Sequence, residues 1–97
     1  MQGMSDEKWD KIIFESLIEL YKYATPKVDI NKLLESENPF DSNKYRLSQK
    51  IQDKILNNIC KKYNITGYNI NILKVGVYLS GAPSFNVSDY KKFNKLK

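Results

Sequence analysis

The stretch TGYNINILKVGVYLS, residues 66–80, decides the fold of this chain because two structures compete for it. Apolar residues alternate with polar ones up to Ile72, and they alternate again from Leu73 onward in the opposite phase. β-branched side chains dominate and Gly76 lies inside the stretch, which favours a strand over a helix. The phase shift then indicates a bulge or a very tight turn between two strands. A buried helix that stops at Gly81 is the alternative.

The strand interpretation predicts a β-hairpin. Residues 73–79 would form its first strand, residues 80–83 would turn the chain, and residues 84–87 would return beside it. Helices followed by a hairpin are the order of a winged-helix unit, in which the long helix and the wing flank one nucleic-acid surface. We therefore expect one α+β, winged-helix-like domain over residues 1–97, with three N-terminal helices, the hairpin and a short C-terminal helix.

The first predicted helix, from a capping Ser5 to Pro26, has a wide apolar arc. Its main inward stripe has helical spacing and consists of Trp9, Ile13, Leu17, Leu20, Tyr21 and Ala24. Further apolar side chains lie outside that stripe, so the arc covers about half of the circumference. Either this helix packs on two sides within its own domain, or part of the arc binds a larger protein. The predicted protein-interface residues are Trp9, Phe14 and Ile18.

A short second helix is predicted at Ile30–Glu35, capped by Asp29, and a long third helix runs from Asp41 or Ser42 to about residue 63. Cys60, on the inward stripe of the third helix, is expected to be a buried small side chain. On the opposite face, Lys50, Lys54, Asn57 and Lys61 recur about once per turn, so the ammonium groups of the three lysines line up along one side and can follow a phosphate backbone. The predicted nucleic-acid contacts here are Lys44, Arg46, Lys50, Lys54 and Lys61. A solvated lysine face is the alternative.

The C-terminal segment SDYKKFNKLK, residues 88–97, places aromatic residues between lysines. Such rings can stack on unpaired bases beside phosphate contacts. The predicted contacts are Tyr90, Lys91, Lys92, Phe93 and Lys95. The alternative is a short amphipathic helix whose rings cover the core. Because the chain has a single arginine, bidentate base contacts are scarce, and we expect binding to single strands without sequence specificity.

Charge is divided unevenly along the chain. Residues 1–40 have a net charge of −3, and residues 41–97 have a net charge of +8, which together give +5. This asymmetry predicts two surfaces with different partners, a protein for the first half and nucleic acid for the second.

Missing residue types exclude most catalytic chemistries. The chain has no histidine and one cysteine, and its four glycines are scattered. A Ser–His–Asp triad, a structural zinc site and a phosphate-binding glycine loop are therefore excluded. The acids show no clustered pattern that would suit magnesium. We expect a non-enzyme with no catalytic residue, no metal site and no cofactor.

Membrane and export signals are also missing from the sequence. No apolar run approaches the roughly 20 residues that span a bilayer. The start, MQGMSDEKWD, is acidic and polar, whereas a signal peptide is basic and then apolar. We expect a cytoplasmic protein without a membrane partner.

At Tyr78, Leu79, Pro83 and Asn86 the sequence resembles small proteins encoded by phages and mobile elements of low-GC Gram-positive bacteria. Many of these end with Tyr-Leu-Gly-Cys-Ser-Pro-x-x-Asn, and residues 80–82 here replace the Gly-Cys-Ser portion. They include the middle proteins that partner an A-family polymerase in staphylococcal cassette chromosomes. The resemblance implies an accessory protein of a DNA replication module, with a polymerase or another replication protein as its partner. A phage-type inhibitor that binds a host protein without contacting DNA is the alternative.

Overall fold

The computed structural model describes residues 6–37, 40 and 44–83. This part of the chain forms four α-helices, which are α1 (Asp6–Lys22), α2 (Ile30–Glu35), α3 (Gln49–Lys62) and α4 (Tyr68–Leu79). It contains no β-strand, and an isolated antiparallel bridge joins Thr25 to Arg46. The predicted α+β class is therefore wrong for the described residues, which fold as an all-helical unit.

The stretch that was expected to form a strand is the helix α4. Leu73 and Val77 lie one turn apart and are buried, as a helical spacing requires. The backbone of Gly81 has a φ of +111°, and this glycine follows Ser80, the C-cap residue of the helix. The hairpin and the winged-helix interpretation are thus wrong here, and the alternative of a helix is correct. The proposed return strand at residues 84–87 lies outside the described residues.

The helix boundaries follow from local capping. α1 has Asp6 and Glu7 in its first turn, where the helix dipole favours negative charge, and it ends at Lys22, before the predicted stop. Its predicted cap, Ser5, lies outside the described residues. The predicted cap of α2 is confirmed, because the Asp29 carboxylate accepts hydrogen bonds from the backbone N–H groups of the first turn.

α3 begins later than the sequence suggested. Its cap is Ser48, whose hydroxyl accepts a hydrogen bond from the backbone N–H of Ile51. The preceding residues are extended, because the backbone of Arg46 exchanges two hydrogen bonds with Thr25. The predicted start at residue 41 or 42 is therefore wrong, and Leu47 reaches the core from an extended segment.

α1 is the central element and contacts α2, α3 and α4. α3 is antiparallel to it: Lys62 at the end of α3 pairs with Glu15, whereas Arg46, just before α3, pairs with Thr25 beyond the end of α1. The core has its least exposed apolar side chains at Trp9, Ile12, Leu17, Leu20, Tyr21, Leu47, Leu73 and Val77. The predicted burial of Cys60 is confirmed.

Contacts on more than one side account for most of the wide apolar arc of α1. Trp9 is only 2% exposed, so this predicted interface residue belongs to the core of the isolated chain. Ile18 is partly buried, and Phe14 is 48% exposed. Of the three predicted interface residues, Phe14 alone is a largely exposed side chain. No helix in the described ranges has both the length and the apolar character needed to cross a membrane.

Candidate nucleic-acid interface

The lysine face of α3, which we define as Lys50, Lys54 and Lys61, is exposed as the sequence predicted. The other side of the helix packs into the core through Ile51, Leu56, Ile59 and Cys60. The apolar and the basic residues lie on opposite faces of the helix. Because the apolar face is buried, the lysines point toward solvent. Lys54 follows Lys50 by about 6 Å along the helix axis, and Lys61 lies about 10 Å further on.

The nearest acid on α3 is already engaged. The Asp53 carboxylate accepts a hydrogen bond of 3.1 Å from the Gln49 side-chain amide, and it lies 3.8 Å from the Lys74 ammonium group. Within the described residues, neither Lys54 nor Lys61 has a salt-bridge partner. Their two positive charges are therefore available to an external anion.

Lys62, next to this face, is held by the rest of the protein. Its ammonium group lies 2.8 Å from a Glu15 carboxylate oxygen, and the Tyr63 hydroxyl donates a hydrogen bond to the other oxygen of the same carboxylate. The hydrogen bond from Lys62, followed by that from Tyr63, lowers the pKa of Glu15. The same contact with Glu15 raises the pKa of Lys62 and of Tyr63. This cluster fastens α3 to α1.

Lys44 and Arg46 have different surroundings. Arg46 is partly buried, and its guanidinium group donates a hydrogen bond of 3.1 Å to the Tyr45 carbonyl oxygen. Lys44 is exposed, and its ammonium nitrogen lies 5.6 Å from the centre of the Tyr45 ring. Of these two predicted contacts, Lys44 is the one whose charge faces solvent, whereas Arg46 is held against its own chain.

Lys44 also belongs to a basic group that the sequence did not indicate. It lines an open pocket together with Lys27 and Lys32, and the rest of the wall is formed by Val28, Asp29, Leu33, Ser36 and Tyr45. Lys27 and Lys32 lie in the acidic half of the chain, so charge counting assigned them to the other surface. The bridge between residues 25 and 46 brings the two segments together, and no local pattern in the sequence predicts that pairing.

The remaining predicted nucleic-acid contacts lie outside the described residues. They are Tyr90, Lys91, Lys92, Phe93 and Lys95. Their part in binding stays a prediction.

Phe14, the exposed member of the predicted protein interface, lies against a second aromatic residue. Its ring meets the Phe40 ring edge-on at a centroid distance of 5.8 Å, and Phe40 also packs against Tyr21. The two phenylalanines therefore continue the aromatic core to the surface of the domain.

Sequence reasoning missed an apolar surface on α4. Tyr68 is 77% exposed, Leu79 is 76% exposed, and Val75 is more than half exposed. The strand interpretation hid this surface, because it assigned alternate residues to an inner face. A helical wheel drawn for the alternative would have found it.

Comparisons with protein-family models, with curated proteins and with solved structures find no match. Function is therefore inferred from the chemistry of the lysine face of α3, the basic pocket and the exposed apolar residues. In the described ranges, no three side chains of the His, Cys, Asp or Glu type come together where they could hold a metal ion. Burial raises the pKa of the Cys60 thiol, which disfavours the reactive thiolate.

Proposed function

We propose that this protein is a small, non-catalytic accessory protein that acts in the cytoplasm and binds single-stranded nucleic acid without sequence preference. The binding surface is the lysine face of α3. The observation that carries the proposal is that Lys54 and Lys61 are exposed and have no ion-pair partner in the described residues, while Asp53 between the lysines is engaged by Gln49 and Lys74.

Phosphate contacts explain why this surface suits nucleic acid. Each ammonium group that neutralises a phosphate releases condensed counterions, and this release supplies most of sequence-independent binding. Lysine acts as a point charge and does not impose the bidentate geometry that reads a base edge. Lys27, Lys32 and Lys44 form a second basic group around an open pocket that Asp29 also lines.

A larger protein partner is the second part of the proposal. We assign this partner to a replication module of a phage or mobile element, with a polymerase or another replication protein as the candidate. The support for that context is the resemblance at Tyr78, Leu79, Pro83 and Asn86. The support for a protein contact is Phe14, a half-exposed aromatic residue of the kind that anchors interfaces.

An inhibitor that binds a host protein without contacting DNA is the second candidate. The observation in its favour is the amount of exposed apolar surface on α4, since an apolar face suits a protein better than a phosphate backbone. The two candidates differ in one measurable property, which is affinity for nucleic acid.

Fluorescence anisotropy with a labelled 20-residue oligothymidylate tests the first candidate. We expect a Kd of about 1 μM or weaker at low salt, with a steep loss of affinity as salt rises. Replacing Lys50, Lys54 and Lys61 together by Gln should reduce the slope of log K against log salt by about 2, because single strands lose about 0.7 per contact. A control matched in net charge replaces Lys8, Lys11 and Lys22 of α1 by Gln, which also removes the ion pair of Lys22 with Glu19.

The control variant separates local contacts from net charge. If it loses as much affinity as the α3 variant, binding depends on overall charge and the assignment to α3 is wrong. If the unmodified protein does not bind the oligonucleotide even at low salt, the lysine face is a solvated surface. The inhibitor function is then the one to pursue.

A further inference from the structure

α4 is mostly apolar, although the described residues cover only one side of it. Lys74 is the one charged residue among its twelve. Leu73 and Val77 face the core, whereas Tyr68 and Leu79 lie on the other side, each about three-quarters exposed. A helix that is apolar all round is normally buried all round, and contiguous exposed apolar patches mark interaction sites.

The apolar residues on the exposed side of α4 have the same spacing whether they are counted from the N-terminus or from the C-terminus of the helix. This side consists of the exposed residues Tyr68, Val75 and Leu79 and of Ile72, which is partly buried against the core. In chain order the four are separated by four, three and four residues. At 100° per residue they lie within about 60° of one another, so they form a single stripe along the helix. When a second α4 is laid antiparallel on this stripe, Tyr68 meets Leu79 of the other copy and Ile72 meets Val75. The stripe is therefore complementary to itself, as a two-fold interface requires.

The absence of charge on this stripe disfavours a charged partner. The net charge of +5 opposes self-association, so a second copy can approach only through an uncharged surface. The stripe itself carries no charge, and the ammonium group of Lys74 lies 3.8 Å from Asp53 of the same chain. An acidic partner would find no cation on the stripe to pair with, whereas a second neutral stripe meets no repulsion there.

We infer that two copies of this protein associate through an antiparallel pairing of their α4 helices. The area of the α4 surface limits the affinity between the two copies. A twelve-residue helix is about 18 Å long and about 10 Å wide. The pair therefore buries less than the roughly 800 Å² per partner of a standard interface. The dimer is consequently weak and reversible, and it forms as concentration rises. This inference is independent of the nucleic-acid proposal.

Sedimentation equilibrium on the full chain, from about 10 μM to about 1 mM, tests the association. We expect the average mass to rise from monomer toward dimer. Val75→Glu should keep the protein monomeric, because each carboxylate would be buried against Ile72 of the other copy and the two carboxylates would lie only about 4.5 Å apart along the helix axis. Leu34→Glu is the matched control, since Leu34 is an exposed apolar residue on α2, and it should dimerise like the unmodified chain. Circular dichroism checks that both variants are folded.

Cysteine cross-linking tests the direction of the helices without depending on a disruptive variant. Equal amounts of a Tyr68→Cys chain and a Leu79→Cys chain, oxidised with Cu(II)–phenanthroline, should form a disulfide between the two variants. Neither variant should cross-link efficiently alone, because two copies of position 68 lie about 16 Å apart along the antiparallel axis. A disulfide needs Cα atoms within about 7 Å. Cys60 is buried and can stay in place.

A mass that stays monomeric up to the highest concentration would overturn the inference. So would association that persists in a folded Val75→Glu variant, since the stripe would then not be the interface. Rapid cross-linking of the Tyr68→Cys chain with itself would contradict the antiparallel arrangement.

Discussion

The Ile13 side chain of α1 lies directly against the backbone of Gly76 in α4. A Cβ atom at position 76 would come within 2.9 Å of the Ile13 Cδ1 atom, closer than such atoms normally approach. A glycine inside a helix costs about 1 kcal/mol relative to alanine. The glycine at position 76 allows α1 and α4 to pack closely. This close packing helps to stabilise residues 68–79 as a helix.

We expect Gly76→Ala to change stability by a small net amount, because two effects of about 1 kcal/mol oppose each other. Alanine favours the helix, whereas its methyl group displaces the Ile13 side chain. Ile13→Val removes the Cδ1 atom that would clash. In a double-mutant cycle measured by urea denaturation, the double variant should therefore be more stable than the sum of the single changes by about 1 kcal/mol. Simple additivity would show that the two residues are not in contact.

Gly81→Ala should be among the most destabilising single changes in the chain, by more than about 2 kcal/mol. Position 81 has a φ of +111°, and an added Cβ would come within 2.5 Å of the Phe40 carbonyl oxygen, a backbone atom that cannot easily move. Gly67→Ala is the matched control, because its φ is +61° but no atom lies within 4 Å of the added methyl group. Thermal denaturation should show a larger loss at position 81 than at position 67, and equal losses would remove the steric part of the explanation.

Gln52→Leu should destabilise the fold by about 1–3 kcal/mol, although leucine is more apolar. The buried Gln52 amide donates hydrogen bonds to the carbonyl oxygens of Leu47, at 3.1 Å, and Pro83, at 2.6 Å. Leucine would leave both oxygens without this donor. The control is Gln49→Leu, which changes an exposed glutamine one turn earlier and should cost much less. Chemical denaturation of both variants decides the matter.

Glu15→Gln should lower stability at neutral pH and have little effect at low pH. The hydrogen bonds from Lys62 and Tyr63 lower the pKa of Glu15 in the folded state. The stabilisation is therefore present above the ordinary glutamate pKa of about 4.3 and is lost as the pH falls through the lower, folded value. Melting temperatures at pH 7 and pH 3 measure the difference.

Lys62→Met is the control variant for the cluster of Glu15, Lys62 and Tyr63. The pKa of Lys62 is raised by Glu15, so its contribution is present below the ordinary lysine pKa and is lost at strongly alkaline pH. Changing both residues should cost less than the sum of the single changes, because each removes the same ion pair. A pH-independent cost of Glu15→Gln would mean that packing, and not charge, explains its effect.

Phe14→Ala should lower the free energy of unfolding by about 1 kcal/mol, whereas Leu73→Ala should lower it by about 2–5 kcal/mol. Phe14 is half exposed and touches Phe40 at its edge, while Leu73 is fully buried. A loss at Phe14 as large as that at Leu73 would place its ring in the core, and the protein-interface proposal for this residue would then fail.

Some structural features could be predicted from the sequence because each depends only on the residues of one segment. The apolar spacing of α3 predicted its buried face, including Cys60, and Asp29 was correctly identified as the cap of α2. The stripe predicted for α1 was right except that Ile12, which it left out, is buried and Ile13 is only partly buried. The exposed lysine face follows from the same periodicity, since residues opposite a buried stripe face water.

The identity of α4 was decided by tertiary structure. Its segment is mostly apolar and rich in β-branched residues, so local preference favours a strand and the spacing of apolar residues fits either structure. Contact with α1 at Gly76 and burial of Leu73 and Val77 select the helix. The same dependence on distant partners places Lys27 and Lys32 beside Lys44 through the bridge of Thr25 to Arg46. Sequence periodicity reports which face of a segment is apolar, whereas the choice between helix and strand in a uniformly apolar segment depends on the surfaces that cover it.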